Sequence, residues 1–173
     1  MTIPDAPRLA GLPPVVGAGT RVLVLGSFPG AASLRAQQYY GHPQNHFWRI
    51  LAALWPAQPL PGDYAGRCDW LLARGLGLWD VYAACERAGS LDASIRNAQV
   101  NDFAGLHARL PRLAAIAHNG GESFRHAGAV RASLGVDIPS LRLPSTSPAN
   151  ASWSFEKKLN AWRDAFAPYG LLD

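Results

Sequence analysis

The sequence predicts an α/β fold, a three-layer α/β/α sandwich around a central four-stranded parallel sheet. Two observations carry this expectation. Four short apolar runs recur along the chain, each ending in a polar, Gly-rich or Pro-rich loop. Between them lie segments with apolar residues at helical spacing, and a parallel sheet covered on both faces accommodates that alternation. A third observation sets the scale. The 173 residues suit one domain spanning 1–173, enough chain to bury about two-thirds of its surface.

The elements follow in order. Residues 1–20 read as an irregular lead-in, because Met1 to Val16 carries five prolines or glycines and no apolar signal-peptide core. Arg21 to Leu25 is the first strand, stopped by Gly26 and Pro29. Asn45 to Leu54 places Phe47, Trp48, Leu51 and Leu54 near one helical face, and Pro56 ends it. Cys68 to Arg74 is a short helix closed by Gly75, and Leu76 to Val81 the second strand. Asn101 or Asp102 is positioned to cap a helix through Leu106 to Leu110. Leu113 to Ala117 forms the third strand, broken by Asn119-Gly120-Gly121, with a helix from Glu122 to about Ser133. Ile138 to Leu143 is the fourth strand. Ser154 to Phe166 is the last helix; Ser154 precedes Lys157 where a full capping box needs Glu or Gln.

Composition narrows the partners. The chain is 49% hydrophobic and 16% charged, and no run of eighteen apolar residues exists, so a membrane span is not expected. Cys68 and Cys85 include no Cys-x-x-Cys pair, so neither a metal site nor a cofactor is expected, and the thiols suit a reducing cytoplasm. Net charge is +4, with fourteen arginines against two lysines, compatible with a phosphate-backbone partner.

In parallel α/β folds the ligand sits outside the carboxyl ends of the strands. Here those ends carry Gly26-Ser27-Phe28-Pro29-Gly30, Trp79-Asp80, His118-Asn119-Gly120 and Pro144-Ser145-Thr146-Ser147-Pro148. The first resembles the opening Gly-x-x-Pro motif of the uracil-DNA glycosylase superfamily. Tyr40-Gly41-His42-Pro43-Gln44-Asn45-His46-Phe47-Trp48 is similar to the His-Pro-x-Asn-x-Phe-Trp signature of its mismatch-specific members, and Leu143 to Asn150 resembles the loop that enters the minor groove. With Gly77-Leu78-Trp79-Asp80 and Ser90-Leu91-Asp92, the resemblance runs from Val22 to Trp162. It favours the hypoxanthine-DNA glycosylase branch. Phe28 stands where most branches keep a catalytic Asp or Asn, which argues against efficient uracil removal.

The resemblance implies a monofunctional glycosylase of base excision repair, acting on double- or single-stranded DNA. It would be a cytoplasmic, nucleoid-associated monomer that leaves an abasic site. Tyr40 would stack on the flipped base, with Phe28 in the same wall or in the core. Asn45 would orient the attacking water, cap the following helix, or do both. Asp80 would read the base edge or bond neighbouring loop amides. Ser145, Thr146 and Ser147 would grip phosphates, Pro148 and Ala149 would form a wedge, and Asn119 and Gly120 would offer a helix start to a phosphate. Ser27 and Gly30 complete the DNA-facing set. No lysine lies in these loops, so the usual Schiff-base nucleophile is absent. The alternatives are a uracil or G:U/T mismatch glycosylase on the same pocket and a non-catalytic lesion-binding protein. A nucleotide-binding enzyme is a third, although Gly-x-Gly-x-x-Gly and Gly-Lys-Ser/Thr loops are both missing.

Overall fold

A computed structural model describes residues 7–172. Its centre is the expected parallel sheet, made of β2 (Val22–Gly26), β3 (Leu76–Asp80), β6 (Ala115–Asn119) and β7 (Ser140–Leu143) in the order β3-β2-β6-β7. Strand β2 shows why the sheet needs two covered faces. Val22 and Val24 enter one core while Leu23 and Leu25 enter the other, all four with no exposed surface. That is the period of two of a strand buried on both sides.

The first core packs α2 (Phe47–Leu54), α3 (Tyr64–Ala73) and α6 (Phe155–Phe166) against the sheet through Phe47, Leu51, Leu71, Leu159 and Trp162. Helix α2 ends at Leu54 before Pro56, as expected. Ser154 caps α6 by accepting from the Lys157 N–H at 3.2 Å, which supplies half a capping box. The second core places α5 (Ala127–Leu134) and the 101–110 connection on the opposite face through Val130, Leu134, Phe103 and Leu106. Three layers result.

Several expectations are corrected. The lead-in is not irregular throughout. Residues 1–6 lie outside the described residues, but Arg8–Ala10 is a strand, β1, and Val15 bridges Leu78. Strand β1 pairs antiparallel with β4 (Tyr82–Glu86), which also pairs with β5 (Arg96–Val100), giving a second sheet ordered β1-β4-β5. The segment after Asp102 makes only a 3-10 turn, His107–Arg109, with the helix-weakening Gly105 inside the expected span. The helix expected over 122–133 is two pieces, α4 (Gly121–Phe124) and α5. At the break the Tyr82 hydroxyl lies 2.6 Å from Glu122 Oε1 and 2.7 Å from His126 Nε2. A further short helix, α1 (Ala31–Ala36), follows Gly30. Among the described residues, no helix is long and apolar enough to cross a membrane.

Candidate active site

The carboxyl ends of β2, β3, β6 and β7 open into a cleft of about 730 Å³, lined by every loop singled out from the sequence. Its walls comprise Ser27, Phe28 and Gly30 after β2, Tyr40 and Asn45 before α2, and Asp80 at the end of β3. Asn119 and Gly120 after β6 and Ser145 to Ala149 after β7 complete the candidate set. The sheet delivers these loops to one edge because its strands are parallel and in register, with Gly26 opposite Asp80 and Asn119 opposite Leu143.

One side of the cleft is a closed hydrogen-bond network. Asn119 Oδ1 accepts from the Thr146 N–H at 3.0 Å, and its Nδ2 donates to Thr146 Oγ1 at 3.0 Å and to the Tyr40 hydroxyl at 3.2 Å. Thr146 is 1% exposed, so it shapes the loop from beneath and presents no donor to a phosphate. Ser145 and Ser147 are different. Their Oγ atoms accept from the Ser147 and Ala149 N–H groups, each at 3.2 Å, which leaves both hydroxyl protons free to donate outward. Lys158 is buried in α6 and donates to the Ser147 carbonyl at 3.3 Å; burial lowers its pKa, and it does not line the cleft. Gly120 sits at φ +100°, where a Cβ would come within 3.2 Å of Ser145. Its glycine is required by this close approach.

Tyr40 has a fixed back and a cleft-facing edge. Its ring lies against Phe47 at 4.0 Å with an interplanar angle of 30°. The residue holds φ +55°, a conformation that costs a non-glycine residue about 1–2 kcal/mol. The Asn119 bond and the Phe47 contact hold it there. Phe28 does both things expected of it: it packs in the second core at 6% exposure and lines the cleft.

Asn45 begins α2. Its Oδ1 accepts from the Phe47 N–H at 2.9 Å, which satisfies one of the helix's orphan donors. Its Nδ2 has no partner among the described residues, and the residue lines the cleft. His42 and His46, four apart on either side, turn to different partners: His42 Nδ1 accepts from the Gln44 N–H, and His46 Nδ1 meets Lys158 Nζ. No group of three metal-ligating side chains forms among the described residues.

The opposite side carries unspent charge. Asp80 is 5% exposed and its Oδ2 has no hydrogen-bond partner. Its Oδ1 occupies the space a side chain at position 26 would need, since a Cβ on Gly26 would lie 2.5 Å away. Burial pushes the Asp80 carboxyl up to about 7; Asp92 adds to the rise and Arg87 opposes it. Burial and the Asp80 charge also raise the Tyr40 phenol. His118, fully buried beside the cleft, is pushed down to about 4 by burial. The Ser123 hydroxyl between it and the Leu25 carbonyl can donate only to the carbonyl, so His118 must carry its proton on Nδ1. It is structural.

Sequence reasoning did not select Asp92, Trp153, Leu91 or Arg142, all of which line the cleft. Asp92 Oδ1 accepts from the Ser27 hydroxyl at 2.5 Å. Desolvation raises the Asp92 carboxyl, and the Ser27 bond opposes the rise. Trp153 and Leu91 are 41% and 56% exposed. An exposed tryptophan beside a polar loop was a signal present in the sequence.

Comparison with known proteins bears on this arrangement. The model of the uracil DNA glycosylase superfamily matches residues 13–166. The chain is 36% identical over 156 residues to a hypoxanthine DNA glycosylase of Methanosarcina barkeri strain Fusaro. It is 35% identical to a hypoxanthine DNA glycosylase of Methanosarcina acetivorans. Each match covers 90% of this chain and 96% of the relative. A solution NMR structure from Methanosarcina acetivorans, provisionally described as a uracil DNA glycosylase, superposes with a TM-score of 0.77 at 34% identity. That superposition covers 91% of this chain and 98% of the other.

Proposed function

Since the chain belongs to the uracil DNA glycosylase superfamily, we propose that it excises hypoxanthine from DNA by hydrolysing the N-glycosidic bond. It is a DNA glycosylase acting on deaminated bases, and its substrate is DNA. The base must leave the stack to reach the cleft. A volume of about 730 Å³ admits a purine. The Tyr40 ring, backed by Phe47, offers a stacking surface worth about 1–3 kcal/mol per base.

One observation carries the choice of base. Asp80 is a buried carboxyl with one oxygen unpartnered at the closed end of the cleft. Hypoxanthine offers an N1–H donor beside a carbonyl acceptor, and ionised Asp80 accepts from N1–H. Uracil presents a similar edge on a smaller ring, so hydrogen bonding alone separates the two weakly, and a cleft of about 730 Å³ has room for the larger ring. The curated relatives' names agree with that reading.

For the chemistry, Asn45 uses Oδ1 to hold the Phe47 N–H before α2 and keeps Nδ2 for a water. An amide cannot remove a proton near pH 7, but it fixes the water's approach to C1′ as the sugar acquires oxocarbenium character. Ser145 and Ser147 donate to phosphates, with Thr146 and Asn119 holding their loop in shape. Pro148 and Ala149, both exposed, stand at the tip as the wedge, with Gly120 behind. All of these parts come from one chain, so the proposed site needs no second copy, and with no lysine in the cleft loops the reaction leaves an abasic site.

The test is base release from duplexes carrying deoxyinosine, deoxyuridine or deoxyxanthosine, with undamaged competitor DNA present. Free hypoxanthine should appear fastest, with an alkali-labile abasic site left behind. Binding to deoxyinosine DNA with no base released from any duplex would return the protein to a lesion-binding role.

A further inference from the structure

An amide at Asn45 can steer a water but carries no charge to offset the positive sugar, nor can it accept the water's proton. The cleft holds two carboxyls, and they are placed differently. Asp80 is buried on β3 beside Gly26 and Tyr40, at the end where the base stacks. Asp92 is exposed, in the 3-10 turn Asp92–Ser94 that follows β4, and it reaches back to the loop after β2.

The connection bearing Asp92 is tied to that loop three times. The Arg87 guanidinium is 3% exposed, lies over the Phe28 ring at 5.2 Å, and donates to the Pro29 carbonyl. Ser90 Oγ accepts from the Ala31 N–H at 2.9 Å. Asp92 Oδ1 accepts from Ser27 Oγ at 2.5 Å. An exposed turn needs no such anchoring for stability. The ties fix the direction of one carboxylate whose Oδ2 makes no hydrogen bond among the described residues.

We propose that Asp92 is a catalytic residue of the glycosylase: its carboxylate, oriented by Ser27, faces the sugar of the flipped nucleotide. There it offsets the positive charge at C1′ and takes the proton from the water that Asn45 steers. The C1′–N bond breaks with its electron pair leaving on the base, and the water oxygen bonds C1′. The water's proton passes to Asp92 and then, through solvent, to the departing nitrogen. The products are the neutral free base and a 1′-hydroxyl sugar. This rests on the glycosylase reading above.

The experiment compares wild type, Asp92→Asn and Asp92→Glu on deoxyinosine and deoxyuridine duplexes, under single turnover at saturating enzyme. Lesion-duplex affinity and melting temperature are measured on the same preparations. Asparagine keeps an acceptor for Ser27 but removes the charge. Asp92→Asn should lose about 100-fold or more in rate while affinity and melting temperature stay near wild type, and Asp92→Glu should recover part of the rate. An Asp92→Asn rate within about threefold of wild type overturns the proposal. So does a loss of affinity in step with the rate, which would make Asp92 a binding residue. Should Asp92→Asn fail to fold, the Glu variant decides: a rate no better than that of a folded Asp92→Ala overturns the proposal. A wild-type protein that releases no base from either duplex fails the glycosylase reading itself, and this inference falls with it.

Discussion

The two sides of the cleft are built on opposite principles. On the side of β6 and β7, Asn119, Thr146 and Tyr40 spend their polar atoms on one another, and Lys158 secures the Ser147 carbonyl from behind. On the side of β3 and β4, Asp80 keeps an unpartnered buried oxygen, and among the described residues the Asp92 carboxylate hydrogen-bonds only Ser27. A satisfied network fixes shape, since each buried group left unpaired costs about 1–3 kcal/mol. An unsatisfied one stores an interaction for a ligand. On the proposed reading, the satisfied side shapes the phosphate loop and seats Tyr40 under the base, while the unsatisfied side keeps carboxylate oxygens for the base edge and sugar.

Breaking the satisfied side should produce the larger stability change. Asn119→Ala removes three hydrogen bonds and strands the buried Thr146 N–H, so a loss of about 2–4 kcal/mol is expected from denaturant unfolding. A variant as stable as wild type would show that the loop keeps its shape without this clamp.

The unsatisfied side should respond with the opposite sign. The folded protein raises the Asp80 carboxyl to about 7, whereas the unfolded chain ionises near its ordinary value of about 4. Neutral Asp80 suits the fold, so no cost exists below about pH 4. Stability is then lost as pH rises toward 7 and stays lost above it. Asp80→Asn should therefore stabilise the protein at pH 8 by about 1–3 kcal/mol, with the gain fading by pH 4. Excision of hypoxanthine should fall in the same variant. Equal melting temperatures at pH 8 would mean that Asp80 finds compensation in solution.

The two regions were also unequally legible in the sequence. The β2, β3 and β6 runs were readable because strands buried on both faces are largely apolar, whereas the edge strand β7 is half-exposed and shows only alternating leucines. Their loops were readable because glycine, proline and serine cluster at the strand ends. Strand β5 could not be read this way, since all five residues of Arg96–Val100 are exposed and it exists by pairing with β4. Tyr82–Glu86 hides two alanines inside a strand. Asp92 was missed for a related reason. The Ser90-Leu91-Asp92 segment was matched, but the role proposed for Asp92 rests on its hydrogen bond to Ser27, 65 positions away, which the segment alone does not encode. Asn45 was singled out from its motif, and it lines the cleft while its Oδ1 holds the Phe47 N–H at the start of α2.

That double use makes Asn45 the sharpest point of attack. If the amide only holds the Phe47 N–H at the start of α2, Asn45→Ala should cost about 1 kcal/mol of stability and leave chemistry intact. The measurement is the single-turnover rate of hypoxanthine release at saturating enzyme, with the melting temperature taken on the same sample. The account predicts a rate lower by about 10²-fold or more, on the order of 3 kcal/mol, in a protein that remains folded and still binds deoxyinosine DNA. A folded Asn45→Ala protein releasing hypoxanthine at nearly the wild-type rate would contradict it.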